Sequence, residues 1–332
     1  MEQTITRPTA SLLELVQEVL GGELVQVEEI LQRELLTGNP YVCDILTHIS
    51  RFRGKRLRPV LLLLSAQACG GITPEHRVLA AVVEMIHLAT LIHDDVLDEA
   101  VTRRHVVTVN ARWNNETSVL FGDYLFTHAF HLASSLDTTF ACRVIGRATN
   151  RLCEGELTQT RERGNLDLTE ERYFSIIDGK TAELTALCGL LGAHFARADA
   201  EIVQALELFG RKLGLAFQIA DDVLDLVGEE TYTGKSLGTD LAKQKMTLPV
   251  IYLLQRLNEP ELRDVRRWLM HPDAQTRRKL LPLLERTHAL RDAQRCAQRL
   301  AQEARSLTEI LPASRGRRIL GELALFAVQR EF

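Results

Sequence analysis

With 332 residues, 45% of them hydrophobic, and a formal net charge of −4, the chain is long enough for a large core and lacks the bulk positive potential of a nucleic-acid binder. Its longest uncharged apolar stretch, Leu184 to Ala196, falls short of the roughly 20 residues a membrane span needs, and Met1 to Pro8 lacks the basic-then-apolar order of a signal peptide. Six scattered cysteines (Cys43, Cys69, Cys142, Cys153, Cys188, Cys296) without a CxxC pair, and no Pro-, Gly- or Ser-rich linker, predict one reduced, cytoplasmic domain over residues 1–332.

In chain order, Ser11 and Glu14 fit a capping box, and the helix they open is expected to stop at Gly21-Gly22. A second amphipathic helix carries Leu24, Val27, Ile30, Leu31 and Leu35, and ends at Gly38-Asn39-Pro40. Four cations then surround one glycine in Arg53-Gly54-Lys55-Arg56-Leu57-Arg58, just before an apolar helix from Val60 to Cys69. Glycine permits close backbone approach and a helix N-terminus favours negative charge, so Lys55 and Arg58 are candidates to converge on a phosphate.

Thr73-Pro74 starts the next helix, apolar nearly all round from Val78 to Ile92 and therefore central. It runs into Asp94-Asp95-Val96-Leu97-Asp98. Asp94 and Asp98 stand one above the other at helical spacing, with Asp95 on the flank, an oxygen-only cluster suited to Mg²⁺. Arg103 and Arg104 follow with fork geometry for phosphate oxygens. His87 lies two turns below Asp94 on a similar face, within reach of a second diphosphate, and His93 has no such argument. Val106 to Val109 reads as strand-like but without a partner strand, and is taken as a loop or distorted helix entry.

Helices are predicted from about Thr117 to Ser135, with Phe126 and Phe130, and from Phe140 to Arg161, with Glu154, Glu156 and Gln159. Thr169 caps another, in which Lys180 stands in an otherwise small and apolar stretch. Asp221-Asp222-Val223-Leu224-Asp225 then repeats the first acidic pentapeptide letter for letter behind a second apolar flank. Two carboxylate clusters on apolar helices imply cations between them, because buried carboxylates are costly without partners. A polar, glycine-punctuated loop from Val227 to Asp240 carries Lys235 as a phosphate clamp. From Glu259 to Phe332 the pattern is amphipathic helix, read as structural packing.

The paired DDxxD motifs, the Gly-Lys-Arg-Leu-Arg-Pro element and their order resemble the all-trans polyprenyl diphosphate synthases, from about Gly54 through Pro249. The resemblance implies an all-α, antiparallel helix barrel around a deep cavity, usually a homodimer. It implies magnesium, about three ions per site, held by Asp94, Asp95, Asp98 and Asp221, with Asp222 and Asp225 completing the catalytic carboxylates. Arg103, Lys180, Thr181, Gln218 and Lys235 would hold an allylic diphosphate, and Lys55, Arg58, His87 and Arg104 isopentenyl diphosphate. Ala89, five residues before Asp94 where a bulky aromatic would block growth, leaves the tunnel open, and Phe126 and Phe130 form a deeper floor, which favours a medium or long product over farnesyl or geranylgeranyl diphosphate. Rival readings are a terpene cyclase and a non-catalytic subunit of a heteromeric synthase. His105, Asn114 and Gln244 stand where the family commonly has glycine.

Overall fold

The computed structural model describes residues 8–52, 54, 56–228 and 237–329. Helix α1 runs unbroken from Pro8–Glu34, straight through Gly21 and Gly22, where the sequence suggests a stop. Leu20 on one side of the pair and Val27 and Leu31 on the other are all buried in a single core. Burying that continuous stripe outweighs the cost of about 1 kcal/mol per helical glycine.

Helices α2 (Pro40–Ile49), α3 (Leu57–Ala68) and α4 (Pro74–Leu97) follow. The Thr73 backbone N–H donates to His76 Nδ1 at 2.9 Å, which closes the first turn of α4. Every residue from 79 to 86 is buried, as an all-round apolar helix requires. The strand-like valines do find a partner: β1 (Thr102–Arg103) pairs antiparallel with β2 (Val106–Val107). Both turn residues, Arg104 at φ 51° and His105 at φ 63°, lie in the left-handed region. Two successive positive φ values match the twist of a two-residue hairpin, so His105 takes up a conformation that glycine adopts more cheaply.

A short α5 (Val109–Arg112) leads to α6 (Asn115–Ser134) and α7 (Thr139–Arg161). Thr169 caps α8 (Glu170–Ile177), accepting the Arg172 N–H at 3.1 Å. A five-residue π turn (Asp178–Ala182) joins α8 to α9 (Glu183–Phe195), and α10 spans Ala200–Val227. The remainder is α11 (Thr239–Ala242), α12 (Leu248–Leu254), α13 (Glu259–Met270), α14 (Thr276–Arg286), α15 (Ala289–Leu307) and α16 (Arg315–Phe326). The architecture is all-α, as expected. Helix α4 packs along α6, α3 and α9 along each other, and α10 against both α9 and α15. One apolar cluster joins α1, α3, α4, α9, α16 and the first half of α10, whose Leu206, Phe209 and Leu213 belong to it. A second begins at Ala216 on the same helix and takes in Ile219, Val223 and Leu226 with α12 to α15. Helix α10 thus runs through both, and its second half carries the second acidic pentapeptide. No helix among the described residues is long and apolar enough to cross a membrane, and all six cysteines are free thiols.

Candidate active site

The C-terminal end of α4, the hairpin behind it and the start of α3 gather cations without enough counter-charge. Arg56, in the left-handed region at the head of α3, is committed: it donates to Glu84 Oε1 at 2.6 Å and to Glu28 Oε2 at 2.9 Å. Arg58 is not, because its Nε is buried with no hydrogen-bond partner among the described residues, and burial lowers its pKa. Arg104 donates to the Phe52 carbonyl at 3.0 Å, and burial together with neighbouring Arg103 lowers its pKa as well. The Arg104 guanidinium passes close over Gly54, where a side chain would come within 2.5 Å of its Nη1 and push it aside. His87 faces this group; burial first, then Arg58, Arg104, Arg103 and Arg56, hold its pKa well below the ordinary value. The histidine is neutral at pH 7 and leaves the arginines to an anion. Lys55 and Lys235 lie outside the described residues.

On the adjoining face the first acidic motif splits by environment. Asp95 is fully buried and held by Arg103, Nε at 2.9 Å and Nη2 at 2.8 Å, yet its Oδ2 has no hydrogen-bond partner among the described residues. Burial pushes Asp94 up, opposed chiefly by Lys180. Burial acts on Asp98 in the same sense, but Lys245 and Lys243 outweigh it and hold the carboxyl below its ordinary range. Their ammonium groups lie 3.1 and 3.2 Å from Asp98 Oδ1, with Arg163 at 3.6 Å. Lys180 in turn bridges Glu156 Oε2 at 2.5 Å and Gln159 Oε1 at 2.8 Å, and its pKa is raised despite burial because Asp94 and Glu156 attract its charge.

The second motif is organised differently. Asp222 accepts the Tyr173 hydroxyl at 2.6 Å and the Gln218 amide at 2.8 Å, and Gln218 pairs through its other end with the Thr181 hydroxyl at 2.7 Å. Burial, then Asp240 and Asp221, push the Asp222 carboxyl well above its ordinary range. Asp225 caps α11, accepting the Thr239 N–H at 3.2 Å, the Thr239 hydroxyl at 3.0 Å and the Asp240 N–H at 3.1 Å. Asp221 is half-buried on the same helix. The segment from Thr239 to Lys245 touches both motifs, Asp225 at one end and Asp98 at the other.

The structure therefore brings together the expected Asp94, Asp98 and Lys180 on one side and Arg58, His87, Arg103 and Arg104 on the other. It pairs Thr181 with Gln218. It also supplies residues that the sequence reading leaves unassigned: Glu156 and Gln159 around Lys180, Arg163 and Lys243 beside Asp98, Tyr173 on Asp222, and Asp240. Asp240 is pushed up to about 6 by burial and by Asp225. The available signal for Lys243 and Lys245 is their alternation on a bend, and none marks Tyr173, whose partner is 49 positions away. Ala89 is fully buried among Ile45, Ile49, Ile92, Phe121 and Leu125, while Phe126 and Phe130 stack at 5.9 Å between ring centres.

No three His, Cys, Asp or Glu side chains among the described residues close into a ready-made metal cage. The donors are oxygen-only, and the orphaned Asp95 oxygen, the buried Asp94 carboxyl and the Asp98 carboxylate now balanced by Lys243, Lys245 and Arg163 fit a hard divalent ion that completes its shell with substrate oxygens and water.

Residues 39–284 match the polyprenyl synthetase family. The chain is 37% identical over 291 residues to an all-trans-nonaprenyl-diphosphate synthase (geranyl-diphosphate specific) of Rhodobacter capsulatus, covering 87% of this chain and 89% of that one. It is 37% identical over 313 residues to the nonaprenyl diphosphate synthase of Mycobacterium tuberculosis, covering 92% of each. A solved polyprenyl synthase from Caulobacter crescentus, complexed with calcium and isoprenyl diphosphate, superposes with a TM-score of 0.92 at 33% identity, over 96% of this chain and 98% of that one.

Proposed function

The chain belongs to the polyprenyl synthetase family, and from that membership we propose that it adds isopentenyl diphosphate head-to-tail to an allylic diphosphate, with magnesium, to build a medium- or long-chain all-trans polyprenyl diphosphate. The observation that carries this reading is the pairing of two unlike anion sites: an arginine pocket with an unpartnered buried guanidinium nitrogen at Arg58, and a carboxylate–lysine site around Asp94 and Lys180.

In this reading Asp94, Asp98 and Asp221, with Asp95 behind them, hold the magnesium. When bound, the metal neutralises the allylic diphosphate and so stabilises the charge that develops as its C–O bond breaks. Lys180 and Thr181 grip the same leaving group, and Gln218 fixes the Thr181 hydroxyl. Lys245, Lys243 and Arg163 release Asp98 as the site loads and offer their charge to the departing oxygens. Arg58, Arg104 and neutral His87 orient isopentenyl diphosphate so that its double bond meets the allylic carbon as the old bond opens. The new C–C bond takes the alkene electrons, and the proton lost from the resulting cation passes to the diphosphate. The apolar wall of α4 and α6 keeps water away from the cation.

Product length follows from the same wall. Ala89 is small, and the Phe126–Phe130 stack sits on α6 as the deeper floor, which supports products longer than geranylgeranyl; the nonaprenyl synthases among the relatives support the same range. The reading extends to a single-domain chain acting as a homodimer in the cytoplasm. Exposed apolar Val119 and Leu120 on α6 and Leu157 on α7 favour the homodimer, and six free thiols favour a reducing compartment. The test is incorporation of labelled isopentenyl diphosphate with dimethylallyl, geranyl, farnesyl and geranylgeranyl primers. Label in chains longer than the primer, abolished by EDTA and restored by Mg²⁺, is the expected result. No incorporation with any primer by folded protein overturns the proposal.

A further inference from the structure

The π turn between α8 and α9 carries two of the residues assigned to the allylic diphosphate, Lys180 and Thr181, and something must hold its register. In an α-helix, residues five apart lie about 140° from each other around the axis. Asp178 and Glu183 are five apart and flank the turn, and the Glu183 N–H bonds to the Asp178 carbonyl, the i to i+5 bond of a π turn. The inserted residue rotates their side chains onto one face. There the single guanidinium of Arg211, on α10, forks both: Nη1 lies 2.7 and 2.9 Å from the Asp178 carboxylate and Nη2 lies 2.7 Å from Glu183 Oε2. Arg151, on α7, repeats the fork from the other side, at 2.7 Å to Asp178 and 3.3 Å to Glu183. Glu183 is almost fully buried, and a buried carboxylate is costly unless a cation stands beside it.

We propose that Arg211, seconded by Arg151, is a positioning residue that locks the π register and thereby aims Lys180 and Thr181. The geometry on either side supports it. Gln218, the partner of Thr181, lies seven residues beyond Arg211 and hence on the same face of α10. Lys180 leaves the turn toward Glu156 on α7, where the backbones meet so closely that a side chain on Gly155 would come within 2.6 Å of the Lys180 nitrogen. In the α register the two carboxylates separate, one guanidinium no longer reaches both, and the residues between them rotate away from the diphosphate. The inference rests on the proposed prenyl transfer, within which it separates the two substrates.

Arg211→Met is expected to raise KM for the allylic diphosphate about tenfold or more while KM for isopentenyl diphosphate stays within about twofold, because a small misplacement costs the group it displaces. Arg211→Lys falls between, since an ammonium lacks the fork. Where the Met variant does not fold, Asp178→Asn keeps the Arg211–Glu183 pair and gives a smaller shift of the same selectivity. Elongation by the unaltered protein with both KM values rising together, or neither moving, in whichever variant folds overturns the inference alone. No elongation by the unaltered protein overturns the functional reading and this inference with it.

Discussion

Asp-Asp-Val-Leu-Asp occurs twice, at 94–98 and 221–225, and the two copies are built for different work. In the first, the neighbours of Asp98 are the tips of long side chains, Lys243, Lys245 and Arg163, which changes of rotamer can swing aside for another cation. In the second, the neighbours of Asp225 are backbone N–H groups of α11, which have nowhere to go. Asp222 likewise spends both oxygens on Tyr173 and Gln218. A carboxylate balanced by movable ammoniums is available to a metal, whereas one that caps a helix is a fastening. Identical letters acquire different duties from what packs against them.

The largest effect is expected at the first motif. Asp94→Asn removes the carboxylate proposed to hold the metal, one of the charges that attract Lys180; turnover should fall about a hundredfold or more, with little change in Tm because burial already disfavours the charged carboxylate. A parallel collapse of Tm and activity would break the distinction, since Asp94 would then be a fastening too.

Asp222→Asn tests the other side. Its amide offers a donor where Tyr173 or Gln218 requires an acceptor, Gln218 loosens and Thr181 loses its hold. The expected result is a rise of about tenfold in KM for the allylic diphosphate and a lower Tm, measured by steady-state kinetics and calorimetry.

A smaller, purely electrostatic effect sharpens the comparison through pH. The Asp240 carboxyl is raised from 3.8 to about 6 by burial and by the Asp225 charge beside it. A raised carboxyl holds its proton more tightly in the folded than in the unfolded state, so its contribution to stability is present below about pH 4 and is lost as pH rises through 6. In metal-free buffer Asp240→Asn should therefore raise Tm relative to the unaltered protein more at pH 7.5 than at pH 4.5. A constant difference would show that the Asp240 carboxyl is not raised in the folded protein.

Much of this was legible in the residues. The all-round apolar run of α4, the Thr169 cap and the repeated pentapeptide were each local, and each survived folding. What escaped was non-local or depended on one residue of register. Gly21-Gly22 looks like a stop until the stripe on both sides proves continuous. Val106 and Val107 pair with Thr102 and Arg103 only because Arg104 and His105 accept positive φ. Nothing in Asp178 to Glu183 announces a π turn except two acids five apart, whose meaning depends on Arg151 and Arg211. The unequal duties of Asp98 and Asp225 could not be read at all, because the local sequence is the same.

That inequality is tested most directly by titrating turnover with magnesium in Asp98→Asn and Asp225→Asn side by side. A much higher magnesium requirement is expected for Asp98→Asn, and for Asp225→Asn a nearly unaltered requirement with a loss of Tm. Equal shifts in the magnesium requirement, or a larger one for Asp225→Asn, would contradict it.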